Sequence, residues 1–177
     1  MNEVQQLSIS YVIKQYLFDI IFYNCHFMKE IKTIIHIHAP SQIVWDTLMN
    51  FQEYPEWNPF IREIEGSVNT GQQLSVTVLP PESSKPMKFS PNVLRHDLQK
   101  EFRWKGKLLI NGLFDGEHYF KLSQLPNGST SLEHGERFSG LMVPFLGGML
   151  EKTELGFQQM NIALKELCEE KFKAPVI

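Results

Sequence analysis

The 177-residue sequence predicts one α+β domain, in which a mostly antiparallel sheet packs against a single long helix near the C-terminal end. Residues 149–172 carry apolar side chains at alternating spacings of three and four, the period of a helix with one buried face. Residues 29–139 instead contain several segments of alternating apolar and polar residues, separated by turn residues. Because no second long helical pattern occurs among these segments, we expect the sheet to be the partner of the helix.

The C-terminal helix is predicted over Met149–Phe172. The residues of its apolar stripe are Leu150, Thr153, Phe157, Met160, Leu164 and Leu167. The pair Gly147-Gly148 precedes the helix, and Pro175 lies beyond its end. Gly156 falls in the middle, where glycine costs about 1 kcal/mol relative to alanine. We therefore expect either a close approach of another group at Gly156 or space left there.

The first strand is predicted over residues 29–38, where KEIKTIIHIH alternates between two faces. Ser41 is a favourable N-cap for a short helix that runs to about Asn50. The next segment, FQEYPEWNPF, contains Pro55 and Pro59. Because proline disrupts the interior of a helix, this segment predicts a helical turn followed by a chain reversal.

Six further strands are predicted after the short helices. Residues 61–68 and 73–79 form a predicted hairpin, followed by a polar, proline-containing loop over residues 80–88. The last four strands are predicted over residues 89–98, 102–110, 113–124 and 129–139, with turn signals at Asn111-Gly112 and at 126–128. Short connections of this kind favour antiparallel pairing of neighbouring strands.

Composition restricts the classes of function. The sequence is 42% hydrophobic and 21% charged, which suits one globular domain with a sizeable core. Its formal charge of −3 and scattered basic residues argue against nucleic-acid binding. Cys25 and Cys168 lie far apart and belong to no CxxC pair, so neither a disulfide framework nor a zinc site is indicated. We expect a cytoplasmic protein that requires no cofactor and no metal.

The N-terminal segment has an unusual composition. Residues 7–27 are rich in large apolar side chains but contain Lys14, Gln15 and Asp19, so the apolar runs are too short to span a bilayer. The pattern of a signal peptide does not occur either. Two hypotheses remain: an amphipathic helix that docks on the domain or on a membrane, or an upstream extension before a start at Met28. Residues 1–28 are thus interpreted as an extension and residues 29–173 as the domain.

The order of elements is accompanied by motifs that carry a resemblance. They are IHIHAPSQIVWDTLMNFQEYPEWNPFIREIEG, GQQLSVTV, FRWKG and GFQQMNIALKEL. Over residues 29 to about 172 the chain resembles the START-like superfamily, most closely the SRPBCC branch of polyketide cyclase/dehydrase and lipid transport proteins. The resemblance implies a helix-grip fold: a curved seven-stranded antiparallel sheet wrapped around the C-terminal helix, with two short helices after the first strand. It also implies an apolar cavity between helix and sheet.

Alternation assigns several side chains to the face of the sheet that meets the helix. They are Trp104, Phe114, His118, Phe120, His134, Glu136 and Phe138. Two histidines and one carboxylate are therefore predicted to point into an otherwise apolar space. Because a buried polar group without a partner costs a few kcal/mol, these three side chains are expected to bind each other, a water molecule or a ligand.

Three interpretations of His118, His134 and Glu136 follow. They form an internal hydrogen-bond cluster, they orient a polar group of a bound ligand, or they catalyse a reaction. In the catalytic interpretation one histidine is a general base assisted by Glu136, as an aldol-type cyclase or a dehydratase requires. Histidines on separate strands give no metal-binding signature.

Two further regions are candidates for the entrance of the cavity. Trp57 and Phe60 lie beside two prolines, where we expect the pocket mouth. Residues 138–148, FSGLMVPFLGG, are too apolar to lie in solvent and contain three glycines. This segment is interpreted as a flap over the cavity, as a surface that touches a membrane transiently, or as static packing against the start of the helix.

The expected function is binding or transport of a small hydrophobic ligand, such as a lipid or a polyketide-like molecule. The alternatives are a cyclase or dehydratase that uses the two histidines and the glutamate, and a protein or membrane interaction module. The predicted ligand-binding residues are Trp57, Phe60, Trp104, Phe114, His118, Phe120, His134, Glu136, Phe138, Phe145, Phe157 and Met160.

Overall fold

The computed structural model describes residues 27–107 and 113–173. The elements in chain order are β1 (Met28–Ile37), α1 (Ser41–Met49), α2 (Tyr54–Trp57), β2 (Ile61–Gly66), β3 (Leu74–Val78), β4 (Met87–Phe89), β5 (Asn92–Asp97), β6 (Glu101–Lys107), β7 (Asp115–Gln124), β8 (Thr130–Ser139) and α3 (Gly147–Lys173). The predictions for residues 1–26, for the end of the strand at 108–110, for the turn Asn111-Gly112 and for Pro175 lie outside the described residues.

The described strands form two antiparallel sheets that meet at one edge. The larger sheet has the order β1-β8-β7-β6-β5, and the smaller has the order β2-β3-β4. Backbone hydrogen bonds join them: the Leu74 amide donates to the Pro91 carbonyl at 2.8 Å, and the Val93 amide donates to the Gln72 carbonyl at 2.8 Å. The strands therefore form one bent β layer around the long helix.

Helix α3 packs against β1, β8 and α1, as the predicted helix-grip architecture requires. Its buried residues are Leu150, Gly156, Phe157, Met160, Asn161, Leu164 and Cys168. The stripe predicted from the sequence is thus confirmed at four positions, whereas Thr153 and Leu167 are only half-buried. Among the described residues, no helix is both long and apolar enough to cross a membrane.

The α+β fold is confirmed, but the described part of the chain contains eight strands rather than seven. The predicted loop over residues 80–88 ends in β4, which pairs with β3, and the predicted strand over residues 89–98 begins only at Asn92. The break falls at Ser90-Pro91, because proline has no amide hydrogen for the ladder. At this point the chain leaves the smaller sheet and enters the larger one.

The glycine in the middle of α3 is explained by a close approach. A Cβ atom at Gly156 would overlap the ring of Phe60. Phe60 also packs edge-on against Phe157, with ring centroids 5.6 Å apart. The segment before β2 therefore fits directly onto α3, and of the two alternatives predicted for Gly156 the structure shows the close approach, made by an aromatic ring.

Candidate functional site

A cavity of about 500 Å³ lies between the two parts of the bent β layer and the first turns of α3. The smaller sheet supplies one wall through β2, β3 and β4, and strands β6, β7 and β8 supply the opposite wall. Gly148, Met149, Lys152 and Thr153 line it from the helix. Most of the residues that line the cavity as a whole are apolar, which is typical of a pocket for a small molecule.

Six of the twelve predicted ligand-binding residues line this cavity. They are Phe60, Trp104, Phe114, His118, Glu136 and Phe138. Four of them come from β6, β7 and β8, where alternation along each strand places them on one face, and Phe114 directly precedes β7. Whether these residues contact a ligand remains a prediction of the sequence and of the cavity geometry.

The other six predicted residues do not line the cavity. Phe120, His134, Phe157 and Met160 are fully buried behind its wall. Trp57 does not reach the cavity from the short helices, because its ring packs edge-on against Tyr54 with centroids 5.0 Å apart. Phe145 is 79% exposed and points away from the core, whereas Val143 of the same segment is buried.

A chain of hydrogen bonds leads from the cavity wall into the core. Glu136 Oε2 lies 3.4 Å from His118 Nδ1, and His118 Nε2 lies 3.2 Å from His134 Nε2. His134 Nδ1 is 2.8 Å from Asn161 Oδ1 on α3. The Asn161 amide nitrogen donates to Thr33 Oγ1 on β1 at 2.8 Å. We call these five residues the relay.

Aromatic rings enclose the two histidines of the relay. The His118 ring stacks on Trp104 with centroids 4.4 Å apart, and the His134 ring stacks on Phe157 with centroids 4.0 Å apart. Both imidazoles are almost completely buried. An apolar enclosure of this kind disfavours the charged form of a histidine.

Burial moves the pKa of the acid and of the two bases in opposite directions. It raises the pKa of the Glu136 carboxyl from 4.5 to about 8. It lowers the pKa of His118 from 6.5 to about 3. The pKa of His134 is also held well below 6.5, by burial first and by the neighbouring His118 second. Desolvation penalises the ionised form of each group, so burial favours the uncharged state of all three.

A family model decides the relationship of this chain. The model described as polyketide cyclase/dehydrase and lipid transport matches residues 28–169. The chain belongs to the polyketide cyclase/dehydrase and lipid transport family. No curated protein matches this member of the family at a significant level.

Solved structures share the fold of this family member at low sequence identity. The Zhui aromatase/cyclase from a Streptomyces species is 15% identical with a TM-score of 0.65, covering 84% of this chain and 98% of that one. Norcoclaurine synthase from Thalictrum flavum is 13% identical with a TM-score of 0.64, covering 88% and 94%. A protein from Chromobacterium violaceum is 20% identical with a TM-score of 0.62, covering 79% and 96%. At these identities the likeness concerns the fold alone.

Sequence reasoning missed two members of the relay. Asn161 lies between Met160 and Leu164 on the buried face of α3, and Thr33 lies on the face of β1 that meets the helix. A polar residue inside an apolar helical stripe is a signal that points to a buried partner. In the described part of the chain, no three metal-ligating side chains come together.

Proposed function

We propose that this chain binds a small, largely apolar molecule in the cavity between the β layer and α3. The observation that carries the proposal is the cavity itself, whose volume of about 500 Å³ falls in the range of small-molecule sites. The family described as polyketide cyclase/dehydrase and lipid transport supports this class of ligand. The norcoclaurine synthase structure holds dopamine and hydroxybenzaldehyde, so the same fold accommodates small aromatic molecules in that protein.

A second candidate function is acid–base catalysis on a ligand in the same cavity. Glu136 lines the cavity, and burial raises its pKa to about 8. General acid–base catalysts work best when their pKa lies near the operating pH. Glu136 is therefore suited to transfer a proton to or from a bound carbonyl compound, as a cyclase or a dehydratase requires. His118 hydrogen-bonds the carboxyl and would act as its positioning residue.

The binding proposal is tested by placing a larger side chain on β6, where it fills part of the cavity. Gly106 lines the cavity, and a Cβ atom there would meet only Pro91, at 3.6 Å. Gly106→Leu therefore adds a side chain toward the cavity without a backbone clash. Native mass spectrometry of protein purified from its own host is expected to show an apolar adduct on the wild type and none on Gly106→Leu.

The matched control adds the same side chain outside the cavity. Ser123 lies on β7 and is exposed, so Ser123→Leu changes the surface and leaves the cavity open. This variant is expected to keep the adduct of the wild type. An equal amount of adduct on all three proteins would place the ligand elsewhere and contradict the proposal.

A further inference from the structure

The hydrogen bonds of the relay run in one direction, and the direction is set at its buried end. The Thr33 hydroxyl lies 2.9 Å from the backbone carbonyl of His134, which can only accept. A hydroxyl has one hydrogen, and that hydrogen is used in this bond. The Asn161 atom 2.8 Å from Thr33 Oγ1 must therefore be the donating amide nitrogen. The orientation of the Asn161 amide is thus fixed by a backbone group.

The same argument assigns the hydrogens of both histidines. Because Asn161 turns its oxygen toward His134, the His134 Nδ1 atom donates across 2.8 Å. His134 is completely buried, which disfavours its cationic form, so we assign it a single ring hydrogen and its Nε2 accepts. His118 Nε2, 3.2 Å away, must then be the donor. A neutral His118 protonated at Nε2 leaves its Nδ1 as an acceptor that faces Glu136.

Glu136 lies next to this acceptor. A carboxylate 3.4 Å from an unprotonated Nδ1 would place a negative charge against a lone pair, so a hydrogen must lie between the two atoms. A cationic His118 would be enclosed by Trp104 and His134 in an almost completely buried site. With the hydrogen on Glu136 both groups are neutral, whereas a hydrogen on His118 Nδ1 would leave an almost completely buried cation beside a carboxylate whose side chain is only 20% exposed.

We propose that Glu136 is a neutral carboxylic acid in the resting protein and that the cavity consequently selects neutral apolar molecules that carry a hydroxyl group. This inference rests on the proposed function, since it assigns the ligand class of the same cavity. The Glu136 hydroxyl donates to His118, and Oε1, which lies over Gly116, is left as an acceptor. A ligand hydroxyl satisfies this acceptor.

The other charged groups of the cavity argue against a cationic ligand. Lys107 and Lys152 line it, and both are exposed to solvent. Lys152 pairs with Glu82 at 3.5 Å. Both lysines are positive, so a ligand that carries an ammonium group meets a neutral acid and two cations. Burial of an ammonium without a negative partner is strongly unfavourable.

The test uses three probes of matched shape: naphthalene, 2-naphthalenemethanol and 2-naphthylmethylammonium, titrated calorimetrically at pH 6.5. The alcohol is expected to bind the wild type about 3- to 10-fold more tightly than naphthalene, the range of one neutral hydrogen bond. The ammonium probe is expected to bind no more tightly than naphthalene.

Two substitutions of Glu136 and one control sharpen the test. Glu136→Leu is expected to remove the preference for the alcohol. Glu136→Gln is expected to recover the preference, because a glutamine amide donates to His118 Nδ1 and keeps an oxygen toward the ligand. Glu133 lies on the other face of β8, where it pairs with Lys32 and Lys121, so Glu133→Leu is expected to leave all three affinities unchanged.

The outcomes separate the ligand class from the binding function. Tighter binding of the ammonium probe than of the alcohol, lost in Glu136→Gln, would overturn the neutral-acid inference and leave the cavity as a binding site. Absence of binding for all three probes would overturn the proposed function and the ligand class together. Nitrogen-15 NMR of the imidazoles is expected to show hydrogens on His118 Nε2 and His134 Nδ1. A cationic His118, or the opposite tautomers, would overturn the inference independently of any ligand.

Discussion

Strands β7 and β8 carry two polar clusters, one on each face, and the two clusters differ in their burial and in their charge. On the inner face the cross-strand pair His118 and Glu136 belongs to the relay, where burial disfavours the charged form of both groups. On the outer face Tyr119 lies among Arg103, Lys121 and Arg137, whose charged groups are 4.8, 4.9 and 5.7 Å from the centre of its ring. We call Tyr119, these three cations and Glu30, which pairs with Arg137, the outer cluster. All of its members except Tyr119 carry a charge.

The two faces shift carboxyl pKa values in opposite directions. The hydrogen bond from Arg137 lowers the pKa of Glu30 in the outer cluster, and that ion pair is 2.9 Å long. Burial raises the pKa of Glu136 on the inner face, where the carboxyl lies 3.4 Å from the buried His118. A pair of strands can therefore hold ionised acids beside solvent and a neutral acid beside the helix. The difference shows that access to water and the nature of the partner decide the protonation state.

The largest expected difference between the faces concerns one glycine on each. A Cβ atom at Gly135 would lie 2.5 Å from the Tyr119 hydroxyl and 2.7 Å from the Ile31 carbonyl. The Ile31 carbonyl belongs to the backbone of β1, which cannot move aside as a flexible side chain can. A Cβ atom at Gly116 would meet only the flexible end of Glu136. We expect Gly135→Ala to lower the free energy of unfolding by about 3 kcal/mol and Gly116→Ala by about 1 kcal/mol or less. Urea denaturation of both variants measures this, and equal losses would contradict the assignment.

The next expected effect is a pH dependence that only the inner face produces. The pKa of Glu136 is about 8 in the folded chain against 4.5 for an ordinary glutamate. The stabilisation from its neutral form is therefore complete below pH 4.5 and is lost as the pH rises toward 8. The unfolding free energy of Glu136→Gln minus that of the wild type is expected to rise by about 3 kcal/mol between pH 4.5 and pH 8. This is less than the whole pKa shift would give, because the carboxyl is partly exposed to solvent.

His118 acts in the opposite direction, so a difference between two proteins is the quantity to measure. Its folded pKa of about 3 lies below the ordinary 6.5, and the stabilisation from neutral His118 is lost as the pH falls below 6.5. Because this contribution is common to the wild type and to Glu136→Gln, it cancels in their difference. Parallel stability curves for the two proteins would mean that Glu136 ionises normally, and the contrast between the faces would disappear.

The sequence predicted which residues lie on the inner face, because side chains alternate between the two faces of a strand. Alternation correctly places Trp104, His118 and Glu136 on one face, because neighbouring side chains on a strand point to opposite sides. It does not indicate depth. His134 and Phe120 share that face with the cavity-lining residues but lie behind the wall, since their depth depends on how closely α3 approaches each position.

Other features depend on contacts between distant segments. Asn161 joins the relay from α3, and its partners His134 and Thr33 are 27 and 128 positions away in sequence. Tyr119 follows His118 along β7 and so lies on the outer face, yet it is fully buried because side chains of the outer cluster cover its ring. The break between β4 and β5 falls at Pro91, whose missing amide hydrogen was a readable signal.

A smaller effect is expected where the relay crosses from the sheet to α3. Asn161→Leu leaves the buried Nδ1 hydrogen of His134 without an acceptor. An unsatisfied buried donor costs about 1 to 3 kcal/mol, so we expect a loss of about 2 kcal/mol in the free energy of unfolding at pH 7. Gln159 is exposed on the same helix, and Gln159→Leu serves as the matched control with a change near zero. A loss no larger than that of the control would show that the relay contributes nothing to stability.

The smallest effect is expected in the outer cluster. The Tyr119 hydroxyl donates to Glu30 Oε1 at 3.0 Å, and the side chain of Glu30 is 41% exposed. In Tyr119→Phe water and Arg137 still satisfy this carboxylate, and the ring keeps its contacts with the surrounding cations. We therefore expect a loss of about 1 kcal/mol or less, with a shallow dependence on pH, measured by urea denaturation beside Asn161→Leu. If Tyr119→Phe lost more unfolding free energy than Asn161→Leu, a partner that is open to water would not reduce the cost of a lost hydrogen bond. The contrast between the two faces would then have no physical basis.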